Sequence, residues 1–145
     1  MKSKTSFNSG MLHNALPMPP ILQRYLDWCK TKTPTLNGCL LNWYENGDHY
    51  IGPHSDSEKD LVSNSEIYSI SFGATRDFVF EEKKDKKRLP HHQTVQKTVI
   101  PLENNTLVIM GGTVQKTHKH SVPKSKKISG RRINITFRSF KTMMN

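Results

Sequence analysis

The chain has 145 residues and a mass of 16.7 kDa, which fits one domain and leaves no room for a second independent core. Leu, Ile, Val and Phe make up 33 of those residues, just above the level at which a charged chain stays unfolded, so a modest core is expected. The net charge of +10 sits in the last third: residues 104–145 hold nine Lys and Arg and no acid, while 1–103 are nearly balanced. Such clustering suits a polyanionic partner, nucleic acid first. No apolar run approaches the eighteen or so residues of a membrane helix, and the N-terminal MKSKTSFNSG has no apolar segment, so neither a membrane span nor secretion is expected. The expected compartment is intracellular, nucleus or cytoplasm. Cys29 and Cys39 are too few for a disulfide scaffold or, alone, a zinc site, and both are read as buried thiols.

Residues 1–18 are polar with no sustained period and read as a loose lead-in. Pro19 and Pro20 suit a first helical turn, and Ile21, Leu22, Tyr25, Leu26 and Cys29 recur at helical spacing, which predicts one helix over about 20–31, ended by Pro34. Short β-rich runs then follow at 36–44, 66–73, 77–81, 94–100, 106–110 and 133–140, punctuated by Gly, Asn, Asp, Ser and Pro. One helix followed by many short strands predicts an antiparallel sandwich, jelly roll or barrel. The basic knot Lys83-Lys84-Asp85-Lys86-Lys87-Arg88 falls between two of these runs and is expected to be the exposed loop of a long hairpin.

Seven histidines occur, at 13, 49, 54, 91, 92, 118 and 120. In His54-Ser55-Asp56 an imidazole and a carboxylate stand two residues apart, which on extended chain turns both to one face. A third ligand from far along the chain would complete a facial set of two His and one carboxylate, the arrangement of non-haem Fe(II) oxygenases. His118 and His120 share parity, so periodicity does not choose between them. His91 and His92, beside the basic knot, read as exposed loop residues. In Arg132-Ile133-Asn134-Ile135-Thr136-Phe137-Arg138 the period of two puts Arg132, Asn134, Thr136 and Arg138 on one face and the apolar residues on the other. Two guanidinium forks aimed the same way suit a dicarboxylate. Asn42 and Tyr44 also share parity, opposite Leu41 and Trp43, and offer an amide and a phenol to such a pocket.

Asn42-Trp43-Tyr44, Gly47, Ile51, His54-Ser55-Asp56, the run Ser71 to Phe78 (SFGATRDF), His120-Ser121-Val122-Pro123 and the run Arg132 to Arg138 (RINITFR) together resemble the AlkB family of Fe(II)/2-oxoglutarate dioxygenases. The match is in order over about residues 36–140 and is most similar to the eukaryotic-type nucleic-acid repair members. The resemblance implies a mainly β fold, a double-stranded β-helix (jelly roll) core over 36–145 behind a short N-terminal helix. Residues 1–35 would be the remnant of a nucleotide-recognition lid, since only 41 residues precede Asn42. It makes His54, Asp56 and His120 the iron ligands. It makes Arg132 and Arg138 the partners of the 2-oxoglutarate carboxylates, supported by Asn42, Tyr44 and Asn134. Glu58 falls at a position that contacts the damaged base, and Arg76 near the substrate side of the pocket. The implied reaction consumes 2-oxoglutarate and O2, hydroxylates an N-methyl group of bases such as 1-methyladenine and 3-methylcytosine in DNA or RNA, and releases formaldehyde. The implied protein is a monomer. His49 stands where the family often has an acid, and Pro53 before the first ligand is unusual. The alternatives are the same mechanism on a modified RNA or a protein substrate, or a non-catalytic nucleic-acid-binding jelly roll.

Overall fold

Strict alternation in the segment 132–138 makes it the axis of the molecule, because both of its faces are buried. The computed structural model describes residues 16–56, 59–84 and 95–141, together with the backbone of 4–6 and 12–14. In chain order these form β1 (Lys4–Ser6), β2 (Leu12–Asn14), α1 (Pro20–Lys30), β3 (Gly38–Tyr44), β4 (Ile51–His54), β5 (Ile67–Gly73) and β6 (Arg76–Glu82). They continue with β7 (Lys97–Leu102), β8 (Thr106–Met110), α2 (Val114–Thr117), β9 (His118–Val122) and β10 (Arg132–Arg138). Two four-stranded antiparallel sheets result, ordered β3-β10-β5-β8 and β4-β9-β6-β7. This is one of the antiparallel architectures that the strand pattern predicts, and the jelly roll that the resemblance implies.

The apolar face of β10 packs outward under α1. Ile135 and Phe137 join Tyr68 and Ile70 of β5 and meet Leu26, Cys29 and Leu36, with Leu22 and Tyr25 at the margin. The helix forms where predicted because Pro20 occupies a first turn whose N–H groups need no partner, and Leu22 and Gln23 donate to the Pro19 carbonyl at 3.0 and 2.9 Å. Its one buried stripe, Leu26 and Cys29, keeps the sheet's outer face dry. Between the sheets lies a second cluster: Tyr44, Ile67 and Met110 from the first sheet against Phe78, Leu102 and Val122 from the second. At the centre of the first sheet, however, the inner face is polar, carrying Arg132, Asn134, Thr136, Ser69 and Ser71, all buried.

Four expectations are corrected. Residues 1–18 are not uniformly loose, since β1 and β2 pair antiparallel from Lys4↔Asn14 to Ser6↔Leu12. Strands of three residues are too short to show a period. Cys29 is buried as expected, but Cys39 is only half-buried. β4 and β9 are additional strands, paired through His54↔His120 with an irregularity that absorbs Gly52 and Pro53. α2 is also additional. β6 and β7 do form the long hairpin, and Lys83 and Lys84 leave its first strand; Asp85 to Arg88, like His91 and His92, lie outside the described residues.

Candidate active site

β4 and β9 lie side by side at one edge of the second sheet and set the metal-binding geometry. His54 stands opposite His120, so the register selects His120 and leaves His118 one step away. The His54 Nδ1 bonds the Gly52 carbonyl at 2.8 Å, which turns its Nε2 toward Asp56. From Asp56 Oδ1 the Nε2 atoms of His54 and His120 lie at 3.8 and 3.6 Å. The three ligand atoms fall within 4.8 Å of one another, a group that could hold one metal ion. His118 is outside it, with its Nδ1 2.7 Å from Thr117 Oγ1 and its ring edge-on to Phe80.

Burial beside Phe78 and Phe80 pushes His120 down to about 4, against the attraction of Asp56, so the imidazole is neutral at physiological pH. Neutral imidazole is the form that ligates metals. Asp56 is held on three sides. Arg138 Nε donates to its Oδ2 at 2.6 Å, its backbone N–H donates to Gln115 Oε1 at 2.9 Å, and the neighbouring Ser55 Oγ donates to the His118 carbonyl at 2.7 Å. Gln115 is a functional residue that the sequence pattern did not single out. It lies in the four-residue α2, buried, and no periodicity marks it.

Arg132 closes the other end of the same face. Its side chain is 2% exposed, with Nη2 donating to Ser71 Oγ at 2.8 Å. Its Nε and Nη1 are buried with no hydrogen-bond partner among the described residues. Two orphaned donors of a buried cation are costly unless an anion meets them, which is the arrangement a carboxylate of 2-oxoglutarate would satisfy. The Arg132 guanidinium carbon also lies 4.9 Å from the Tyr44 ring centroid. Burial raises the Tyr44 pKa and lowers that of Arg132. Tyr44 and Asn42 line a depression of about 350 Å³ together with Trp43, Asp48, His49, Tyr50 and Ile51.

Two predicted site residues are placed differently from expectation. Asn134 faces the pocket side, but its amide donates to Ser69 Oγ and the Ile70 carbonyl and its oxygen accepts from Thr136, so it braces β5 and has no donor left for a ligand. Arg76 is 2% exposed; its Nη1 and Nη2 bond backbone carbonyls, and its Nε is buried with no hydrogen-bond partner among the described residues, so it does not face an open cleft. Glu58 lies outside the described residues.

Comparison with known proteins agrees with this geometry. A family model described as the 2OG-Fe(II) oxygenase superfamily matches residues 3–138. Human DNA oxidative demethylase ALKBH2 is 37% identical over 131 residues, covering 90% of this chain and 50% of the relative. The chain belongs to the AlkB family of that superfamily. The mouse ALKBH2 protein is 36% identical over 90% of this chain and 54% of its own length. The rat alpha-ketoglutarate-dependent dioxygenase alkB homolog 3 is 39% identical over 105 residues, 72% of this chain and 36% of its own. The chain thus spans about half the length, or less, of the curated relatives it matches. Membership of this family implies Fe(II) as cofactor with 2-oxoglutarate and O2 as co-substrates, and the His54–Asp56–His120 group fits the metal. Among the described residues no helix is long and apolar enough to cross a membrane.

Proposed function

We propose that this AlkB-family chain is an Fe(II)/2-oxoglutarate-dependent demethylase of N-alkylated bases in nucleic acid. The observation that carries the proposal is the polar face of β10, where Arg138 at one end pairs with Asp56 of the metal-competent His54–Asp56–His120 group on the facing sheet and Arg132 at the other end carries unsatisfied donors. His54, Asp56 and His120 hold the iron, and Arg132 anchors one carboxylate of 2-oxoglutarate with Tyr44 and Asn42 along the wall. Arg138, paired to Asp56, serves the end of the co-substrate nearer the metal. Bound iron with 2-oxoglutarate and O2 would supply hydroxylation of the N-methyl carbon, 2-oxoglutarate being converted to succinate and CO2 and the hydroxylated carbon leaving as formaldehyde. The methylated base leaves its stack to reach the site, and Glu58 contacts it.

The similarity to proteins named as demethylases and the acid-free, basic C-terminal third support a nucleic-acid substrate over a protein one. The core responsible is 36–145. The site is assembled from one chain, which supports a monomer, acting on nucleic acid of the nucleus or cytoplasm. To test the proposal, purified protein is incubated with Fe(II), 2-oxoglutarate and oligonucleotides carrying 1-methyladenine or 3-methylcytosine. Mass spectrometry should show demethylated product with stoichiometric formaldehyde; its absence with every methylated DNA and RNA would reject the substrate class.

A further inference from the structure

Arg76 is buried more deeply than most of the apolar core, yet among the described residues it makes no ion pair with a carboxylate. Its Nη1 donates to the Asn46 carbonyl at 3.1 Å, and its Nη2 lies 2.9 Å from the His49 carbonyl, 2.7 Å from that of Pro123 and 3.4 Å from that of Gly47. Three of these acceptors belong to the turn between β3 and β4, and the fourth begins the loop after β9. Backbone bonds join the same two segments, with Gly47 N–H to the Ile128 carbonyl at 2.8 Å and Ser125 N–H to the Gly47 carbonyl at 2.9 Å. A planar fork can reach several carbonyls at once, whereas an ammonium cannot span them.

This clamp bears on the pocket. The turn it grips carries Asp48 and His49, which with Tyr44 and Tyr50 line the depression; Arg132 does not line it, and Tyr44 is what joins the two. The guanidinium carbon of Arg76 also lies 5.6 Å from the Tyr44 ring, the same ring that Arg132 covers. We infer that Arg76 is a positioning residue of the dicarboxylate pocket, fixing Tyr44 and the β3–β4 turn, and makes no contact with the nucleobase. The inference rests on the functional reading above, since it concerns the pocket assigned to 2-oxoglutarate.

The test uses the full chain with Mn(II) as a redox-silent metal, and Arg76→Lys and Arg76→Met variants. Calorimetry should give a 2-oxoglutarate Kd raised by about tenfold or more, the scale at which groups behind a ligand act. The Mn(II) Kd should stay within about twofold, since the metal group meets β10 at Arg138, the end away from Arg132 and Tyr44. In turnover, the KM for 2-oxoglutarate should rise while the KM for oligonucleotide does not. A purely structural role would lower the melting temperature without this split. In wild-type protein, hydrogen exchange at 45–50 should slow when 2-oxoglutarate binds, a readout available even if both variants unfold. A wild-type chain that binds no 2-oxoglutarate would reject the functional reading. A wild type that binds it, with an unchanged Kd in Arg76→Lys or with no protection at 45–50, would overturn the inference alone.

Discussion

At the scale of single residues, Asp56 divides its two oxygens between tasks. Oδ1 faces both histidines while Oδ2 takes the Arg138 Nε, so the carboxylate is oriented before any metal arrives. The register His54↔His120 makes a sharp distinction between neighbours of equal parity. His120→Ala should lose both bound iron and demethylation, whereas His118→Ala should keep its iron; the reverse, by metal analysis of the purified variants, would break the assignment. Arg132 and Arg131 separate in the same way. Arg131 is exposed, pairs with Glu45 at 2.9 Å and lies over Trp43, so Arg131→Ala should leave the 2-oxoglutarate KM nearly unchanged. Arg132→Lys keeps the charge but loses the fork, and that KM should rise; a larger defect in Arg131→Ala than in Arg132→Lys would contradict the face assignment. The depressed pKa of His120 also has a sign. The unfolded chain takes up a proton near 6.5 and the folded one near about 4, so metal-free protein holds this stability above about pH 6.5 and loses it as acid passes through that window. Urea midpoints at pH 7.5 and 5 should fall further for wild type than for His120→Asn, and equal losses would show that burial of this ring is not responsible.

Among elements, the turn between β3 and β4 holds the described glycine with the least room for a side chain, Gly47. A Cβ on Gly47 would lie 1.8 Å from the Ser125 carbonyl oxygen and 2.7 Å from that of Ile128, both backbone atoms that cannot swing aside. Gly47→Ala should therefore destabilise the fold by about 1–3 kcal/mol and weaken 2-oxoglutarate binding together with stability; a variant of wild-type stability in a thermal melt would show that the two loops are not locked. This interlock was invisible in the sequence, because a glycine shows that a side chain is absent and not what fills the space. The faces of β10 were legible, since seven residues alternate without a break. What was not legible was that its polar face points inward, nor that the Asn134 amide is consumed by Ser69 and Ile70. Parity gives direction and leaves the partner open. β4 and β9 escaped for a related reason: IGPH offers one β-branched residue beside Gly and Pro, and HKHSV reads as polar because its inward positions carry His118 and His120. Residues placed for chemistry broke the pattern that marks a strand. The motif His54-Ser55-Asp56 was readable, while Gln115, which holds its backbone, was not.

Over the whole molecule, several of the positive charges are already engaged. Lys97 pairs with Glu81 at 2.9 Å, Lys116 reaches Asn64, and Lys83 Nζ donates to the Gln115 carbonyl at 2.6 Å. Exposed Lys124, Lys126 and Lys127 lie on the loop that locks against Gly47, at the Arg132 end. The β6–β7 hairpin departs from the other end, where Glu82 stands opposite His118 in the β6–β9 register and the Lys83 N–H bonds the Thr117 carbonyl at 2.8 Å. Under the proposed function, a base delivered to a metal at His54, Asp56 and His120 would bring its flanking phosphates toward that second end, and the sequence continues from there with Lys86, Lys87 and Arg88. Every cation removed from a phosphate should reduce the slope of log K against log salt by about 0.7–0.9. Replacing Lys86, Lys87 and Arg88 together with alanine should therefore flatten the salt dependence of oligonucleotide binding for every sequence. The matching triple at Lys124, Lys126 and Lys127 should flatten it less. Fluorescence anisotropy titrations from about 50 to 200 mM salt, the range over which phosphate neutralisation is read, compare the two directly. A greater effect of the second triple would place the nucleic acid across the Arg132 end, away from the metal, and would count against delivery of the base past β6 and β9.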